Sequence, residues 1–454
     1  MAVFRMQPVL IVASAILSLV AAAPTLTAEL DYGTFEGAHD TKYNLRCFLY
    51  HSPAGYPTLN VSTENNFIFV YPNYRLNAFG FLPGSEIAQD PNSDLNPGLL
   101  DQHAALQWTH KYISHFGGDP RNVSIWGQSA GAGSVVAQVI AQNGRTNPRL
   151  FTKAISSSPF WPKTYKYNAP QAQDIYNTFA NLTGCSGPNS LRCLKTVDVQ
   201  TLRAAALSIS GSHTYNTSSY TWAPVIDGTF LTQPLSKATA GGDVNIDYGF
   251  GMYNLHEGEN FIPPGLKSTN NTGSPPFNSS LASFNTWVRG YLPGFSESNI
   301  QKLLTLYPEV GTAEELSYNT TYVRAGLIYR DSVLACPAYW TAKAAHKTSY
   351  LGEYTISPAT HGSDTGYWNR VGSLQTTDRL HYLGYTGAFA SFFQTNDPNA
   401  YKLTNTSVPG VPELTRTGEE FVIQEGGVGF DNVGVGMLET RCAFWRSVAA
   451  QVPI

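Results

Sequence analysis

Apolar and polar positions alternate along this chain in blocks that change period. The run Asn66-Phe67-Ile68-Phe69-Val70-Tyr71 is short, apolar and bounded by Pro72, so it predicts a buried strand. Asn96 and Pro97 then read as an N-cap and first helical position. Leu99, Leu106 and Ile113 recur at multiples of seven, which predicts one apolar helical face reaching Phe116. Gly117-Gly118-Asp119-Pro120 stops that helix. A second strand-like stretch covers Val123 to Trp126, a tight turn follows, and a helix-like stretch covers Ser134 to Ala141. Strand, helix, strand, turn, helix is the alternation of a mostly parallel α/β sheet flanked by helices. A later strand-like stretch, Ser349 to Ile356, runs into a loop of turn formers, Pro358-Ala359-Thr360-His361-Gly362-Ser363-Asp364.

The turn after Trp126 carries chemistry. Gly127-Gln128-Ser129-Ala130-Gly131 is a G-x-S-x-G nucleophile elbow, in which a sharp strand-to-helix bend exposes the serine hydroxyl. Small residues at Gly127, Ala130 and Gly131 let strand and helix backbones approach. Five residues match by chance often enough that the neighbours must decide. A serine also needs a base and an orienting acid, in the order Ser, acid, His for this arrangement. Of ten histidines, His39, His51, His103, His110 and His115 precede the elbow. His213, His256, His346, His361 and His381 remain, and His361 lies in a loop from which an imidazole could reach the serine.

The blocks Asn73-Tyr74-Arg75, Gly98-Leu99-Leu100-Asp101-Gln102, Phe116-Gly117-Gly118-Asp119-Pro120 and Gly127 to Gly133 occur in that order, with weaker matches continuing to Cys442-Ala443-Phe444-Trp445. Together they resemble type-B carboxylesterases and lipases, the cholinesterase-like branch of the α/β-hydrolases, and most closely the secreted fungal members. The resemblance implies an α/β-hydrolase fold and ester hydrolysis through Ser129. It places the base at His361, in a similar His-Gly-x-Asp/Glu loop, and the acid at Glu257, in Asn254-Leu255-His256-Glu257-Gly258-Glu259-Asn260-Phe261. Glu259 is the rival acid, more naturally a solvated loop carboxylate, and His256 reads as structural. One oxyanion donor would be the backbone N–H of Ala130. The resemblance also implies disulfides Cys185–Cys193 and Cys336–Cys442, leaving Cys47 unpaired.

Composition narrows the setting. Charged residues make up 13% of the chain against a typical ~25%. The formal net charge of -4 gives no reason to expect nucleic acid as a partner. Arg5, the apolar stretch Pro8 to Leu19 and the small residues Val20-Ala21-Ala22-Ala23 have the layout of a signal peptide, with cleavage expected near Ala22. Residues 1–22 are thus a leader and 23–454 a single domain, secreted and without an integral membrane segment once cleaved. Sequons at Asn60, Asn122, Asn181, Asn216, Asn270, Asn278, Asn319 and Asn405 fit export, although Asn122, next to the elbow strand, is expected to be too buried for a glycan. The cysteines suit an oxidising compartment. No metal-binding constellation and no cofactor motif is present; Asp90-Pro91-Asn92-Ser93-Asp94 is read as a turn-rich loop rather than a calcium site.

One part of the family pattern is missing. The resemblance requires a Gly-rich loop after an earlier strand to supply the other oxyanion donors. Here Tyr43-Asn44-Leu45-Arg46 is followed almost directly by Tyr56-Pro57-Thr58-Leu59-Asn60, a shortfall of roughly 80 residues against the family layout. The domain is therefore expected to be incomplete near 47–54, with an N-terminal part of the sheet missing and Cys47 at the seam. Three functional readings follow: a secreted serine carboxylesterase or lipase acting on a small-molecule or lipid ester, a catalytically impaired truncated esterase, and a non-catalytic cholinesterase-like binding protein. Phe160 and Trp161 are candidates for an acyl pocket, with ordinary core packing as the alternative.

Overall fold

The computed structural model describes residues 27–31, 33–36, 38–40, 45–47, 55–62, 68–211, 222–313, 316–318, 320–401, 410–432 and 437–454. The expected leader at 1–22, residues 48–54 of the seam expected at 47–54, and the sequons at Asn216, Asn319 and Asn405 lie outside them.

Among the described residues the central sheet has six strands: β1 (Ser124–Gln128), β2 (Lys153–Ser157), β3 (Tyr248–Asn254), β4 (Thr348–Tyr354), β5 (Glu419–Gln424) and β6 (Gly427–Asn432). They lie side by side in chain order, parallel from β1 to β5, with β6 returning antiparallel through a tight turn at Glu425-Gly426. Side chains on a strand alternate between faces, and here both faces are apolar. Ala154, Tyr253 and Leu351 join one core, while Ile155, Phe250, Met252 and Tyr350 join the other. A parallel sheet with two apolar faces must be covered on both sides. The helices used below are α1 (Pro97–Tyr112), α2 (Ala130–Ile140), α3 (Thr321–Arg330), α4 (Cys336–Lys343), α5 (Gly387–Thr395) and α6 (Leu438–Ser447). Residues of α2, α3, α4 and α6 build the first core, and those of α5 the second. Cys336 and Cys442 are joined by a disulfide that ties α4 to α6, and Cys185 to Cys193 close a small loop.

Helix α1 begins where the Asn96-Pro97 pair places it and continues as a 3₁₀ turn over Ile113–Phe116. Asn96 does not cap it with its side chain. That amide donates to the Val225 carbonyl at 2.9 Å, and its oxygen accepts from the Val225 N–H.

The strand expected from Phe67 to Tyr71 does not form within the described residues. Residues 68–76 are irregular, and Ile68, Tyr71 and Leu76 are 39%, 37% and 60% exposed. A strand is stabilised by a neighbour that accepts and donates its ladder bonds. The segment packs against β1 through side chains, with Phe69 and Trp126 ring centroids 6.4 Å apart. Among the described residues β1 is the edge of the sheet, so the nucleophile strand has a neighbour on one side only. Downstream of the seam, Tyr56–Val61 is a short helix with Leu59 and Val61 buried, rather than a strand. Asn122 is exposed, contrary to expectation, because it precedes β1 in a surface turn.

Candidate active site

Ser129 sits between β1 and α2 with φ 56° and ψ -124°, a conformation that non-glycine residues avoid at a cost of about 1–3 kcal/mol. Its backbone is held on three sides. The Ser129 N–H donates to the Ser157 carbonyl at 3.1 Å, and its own carbonyl accepts from Gly133 and Phe160, each at 2.9 Å. The glycines explain the tightness. A Cβ on Gly127 would lie 2.3 Å from the Gly131 carbonyl, and one on Gly133 would lie 2.3 Å from the Phe160 carbonyl. Gly131 itself has open space at its Cβ position, so its smallness is not what permits the approach. Helix α2 starts at Ala130, four residues earlier than the apolar pattern suggested, because the Gly133 to Ser129 bond is already its first turn.

Glu257 and His361 come from the ends of adjacent strands. β3 leads to Glu257, and β4 leads to the loop that carries His361. His361 Nε2 is 2.7 Å from Ser129 Oγ, and Nδ1 is 3.0 Å from Glu257 Oε2. A neutral imidazole with its proton on Nδ1 donates to the carboxylate and leaves Nε2 free to accept from the hydroxyl. Glu257 is fully buried, whereas the His361 side chain keeps 13% of its surface accessible. The imidazole is also located by contacts that no motif announced. The His361 N–H donates to Asn260 Oδ1 at 3.0 Å, Phe261 packs edge-on at 5.0 Å between centroids, and Gln128 Nε2 lies 3.4 Å from Nε2. The Gly258 position clamps Glu257: a Cβ there would lie 1.9 Å from the Gly326 carbonyl of α3.

The rival carboxylate is elsewhere. Glu259 Oε1 is 2.7 Å from His256 Nδ1, and its side chain is 16% exposed, so it is a paired group rather than a solvated one. The pairing also accounts for His256, which the sequence suggested was structural. Asp90, in the turn-rich loop, accepts from Ser93 and Lys195, which hold its carboxyl down at about 2.

A cavity of about 200 Å³ opens at Ser129 and Ala130. Its apolar walls include Tyr74, Leu76, Phe160, Trp161, Trp222 and Phe261, and no acidic or basic side chain lines it among the described residues. Phe160 and Trp161 therefore wall the cavity, although both are also buried in the core. No Gly-rich loop lines it among the described residues. These features suit attack by an activated serine on an acyl carbon in an apolar groove.

Similarity to known proteins points the same way. The sequence profile described as the carboxylesterase family matches residues 47–445. The chain is 38% identical over 186 residues to a secreted triacylglycerol lipase LIP1 of Gibberella zeae, covering 40% of this chain and 31% of that protein. It is 28% identical over 387 residues to the carboxylesterase patB of Penicillium expansum, covering 84% and 64%. The chain thus spans less than two thirds of the length of these relatives. The crystal structure of Aspergillus niger EstA superposes with a TM-score of 0.74 at 25% identity, over 92% of this chain and 80% of that one. A family profile running through most of the chain, on a mostly parallel sheet with the serine turn at the end of β1, establishes that this chain belongs to the carboxylesterase family, with the α/β-hydrolase fold.

Proposed function

We propose that this chain is a secreted serine carboxylic-ester hydrolase in which Ser129 is the nucleophile, His361 the base and Glu257 the orienting acid. The observation that carries the reading is the continuous relay from Ser129 Oγ through His361 to Glu257, at 2.7 and 3.0 Å. Ser129 Oγ attacks the ester carbonyl while its proton passes to His361 Nε2. Glu257 stabilises the imidazolium without taking the proton. The imidazolium then protonates the leaving alcohol, and water repeats the sequence on the acyl-enzyme. The Ala130 N–H, first in α2, supplies a donor to the oxyanion. The uncharged, aromatic-walled cavity favours an apolar acyl or alcohol group, as in a small-molecule or lipid ester. Export is supported by the leader-like residues 1–22, the two disulfides and the exposed sequons Asn60, Asn122, Asn181 and Asn270.

A second reading has its own observation. β1 is the sheet edge, and no Gly-rich loop borders Ser129 among the described residues. Each oxyanion donor is worth about 10²–10³ in rate, so a relay without its usual donors gives an impaired esterase. A fluorophosphonate probe with peptide mapping tests the first reading. Labelling confined to Ser129 and abolished by Ser129→Ala supports it; unlabelled, folded protein overturns it. Labelling with turnover of p-nitrophenyl esters reduced by several powers of ten against a full-length fungal carboxylesterase selects the impaired form.

A further inference from the structure

Behind the relay lies a second set of buried polar groups that the acyl-transfer steps do not use. Asn254 is the last residue of β3, three positions before Glu257, and is 1% exposed. Its side-chain amide donates in two directions: to the Thr360 carbonyl at 2.8 Å and to Asp364 Oδ1 at 3.2 Å. Thr360 immediately precedes His361, and Asp364 closes the same loop three residues later. Asp364 is fully buried. Its other oxygen accepts from the Tyr385 hydroxyl at 2.8 Å and the Trp368 indole N–H at 3.1 Å.

We propose that Asn254 and Asp364 are positioning residues that set the distance between Glu257 and His361, by strapping the end of the acid strand to both ends of the histidine loop. The inference rests on the acyl-transfer reading above only for its effect on rate. The geometry stands without it.

The physical need is specific. Glu257 and His361 belong to segments about a hundred residues apart, and their 3.0 Å contact is a single bond between two loops. Adjacent strands fix the loop bases, but β3 and β4 end their ladder at Asn254 and Tyr354, before either side chain. Beyond it, the His256 N–H donates to the Ala359 carbonyl at 3.0 Å, which holds the near side of the loop. The Asn254 amide grips the residue before His361 and the residue that anchors the loop's far side. The anchor is firm because burying a carboxyl without partners costs several kcal/mol, whereas three donors satisfy this one. Burial raises the Asp364 carboxyl, as does the nearby Glu257 charge, and the donors oppose that shift. Reacting groups misplaced by about 1 Å lose on the order of 10²-fold in rate, so a strap acting on this distance affects kcat.

The test uses the full chain with Asn254→Leu, which keeps the number of side-chain heavy atoms and the branching at Cγ and removes both donors, and Asn254→Ala as a second variant should the first not fold. Tyr385→Phe serves as the control that removes one Asp364 donor and leaves the strap. Two quantities are read: the far-downfield proton resonance of the His361 Nδ1–H bonded to Glu257, and kcat and KM on a p-nitrophenyl ester. Expected are loss or a clear upfield shift of the resonance in the Asn254 variants, a fall in kcat of roughly 10- to 100-fold with KM within twofold, and an unmoved resonance in Tyr385→Phe. A folded Asn254 variant with wild-type resonance and kcat overturns the strap, as does a wild-type protein that shows no such resonance. If the wild type shows the resonance but no turnover, the acyl-transfer reading fails, and the strap is judged on the resonance alone.

Discussion

Gly258→Ala probes how the site is held. Gly258 follows Glu257 and lies against the backbone of α3, where a Cβ would sit 1.9 Å from the Gly326 carbonyl oxygen and 2.6 Å from the Arg330 nitrogen. An unstrained carbon–oxygen contact is about 3.3 Å, so the loop and the helix must separate by roughly 1.4 Å. Neither side yields easily. Gly326 is pressed in return, since its own Cβ would lie 2.3 Å from the Glu259 side chain. Helix α3 carries buried Arg330, which donates to buried Asp331, and Asp331 also accepts from Arg441 at 2.6 Å. Overpacking a tight core costs typically ~1–3 kcal/mol, and contacts with backbone on both sides place this variant at the upper end, about 3 kcal/mol. The same displacement lengthens the Glu257–His361 bond, so labelling of Ser129 by a fluorophosphonate should slow on the order of 10²-fold. Urea unfolding and labelling rate are measured on the same preparation. A variant within 0.5 kcal/mol of wild type, by about the scatter of surface substitutions, with an unchanged labelling rate, would show that the loop and α3 are not locked together.

Glu257→Gln keeps the volume but presents an amide to Nδ1, favouring the tautomer with the wrong nitrogen protonated; a fall in kcat of about 10⁴-fold is expected from steady-state kinetics. His381 holds the β5–β6 turn, with Nδ1 on Asp378 at 2.7 Å and Nε2 on the Gln424 and Gly427 carbonyls at 2.8 Å. Those acceptors raise its pKa against the opposing effect of burial. Its stabilisation is therefore complete below the unfolded value near ~6.5 and is lost as pH rises through the higher folded value; urea midpoints of His381→Gln against wild type across that window should converge at the alkaline end. Replacing both Cys336 and Cys442 by Ser releases a link across 106 residues and should cost about 4.7 kcal/mol, against about 2.5 kcal/mol for the pair Cys185 and Cys193 across 8, as read by unfolding midpoints.

Local patterns in the sequence were sufficient for whatever is decided locally. The serine turn, the start of α1 at Asn96-Pro97 and the strand leading to the His361 loop are legible there, whereas Glu257 and the choice of His361 among the later histidines rested on the resemblance to a family. Each of the first three depends on residues within a few positions of one another. Position relative to distant segments was not legible. The run Phe67 to Tyr71 has the composition of a buried strand, but a strand exists only where the fold sets a neighbour beside it, and the described residues 68–71 are irregular. Gly258 reads as part of a motif, while its requirement for glycine comes from a helix nearly seventy residues later. Asn254 and Asp364 look like ordinary polar residues until folding brings them within 3.2 Å behind the relay. The sequence by itself determined the turns, caps and strands that carry Ser129 and the His361 loop; only the tertiary structure decided which polar groups are buried together, because burial and hydrogen bonding across a hundred residues are properties of the packed sheet and not of any local run.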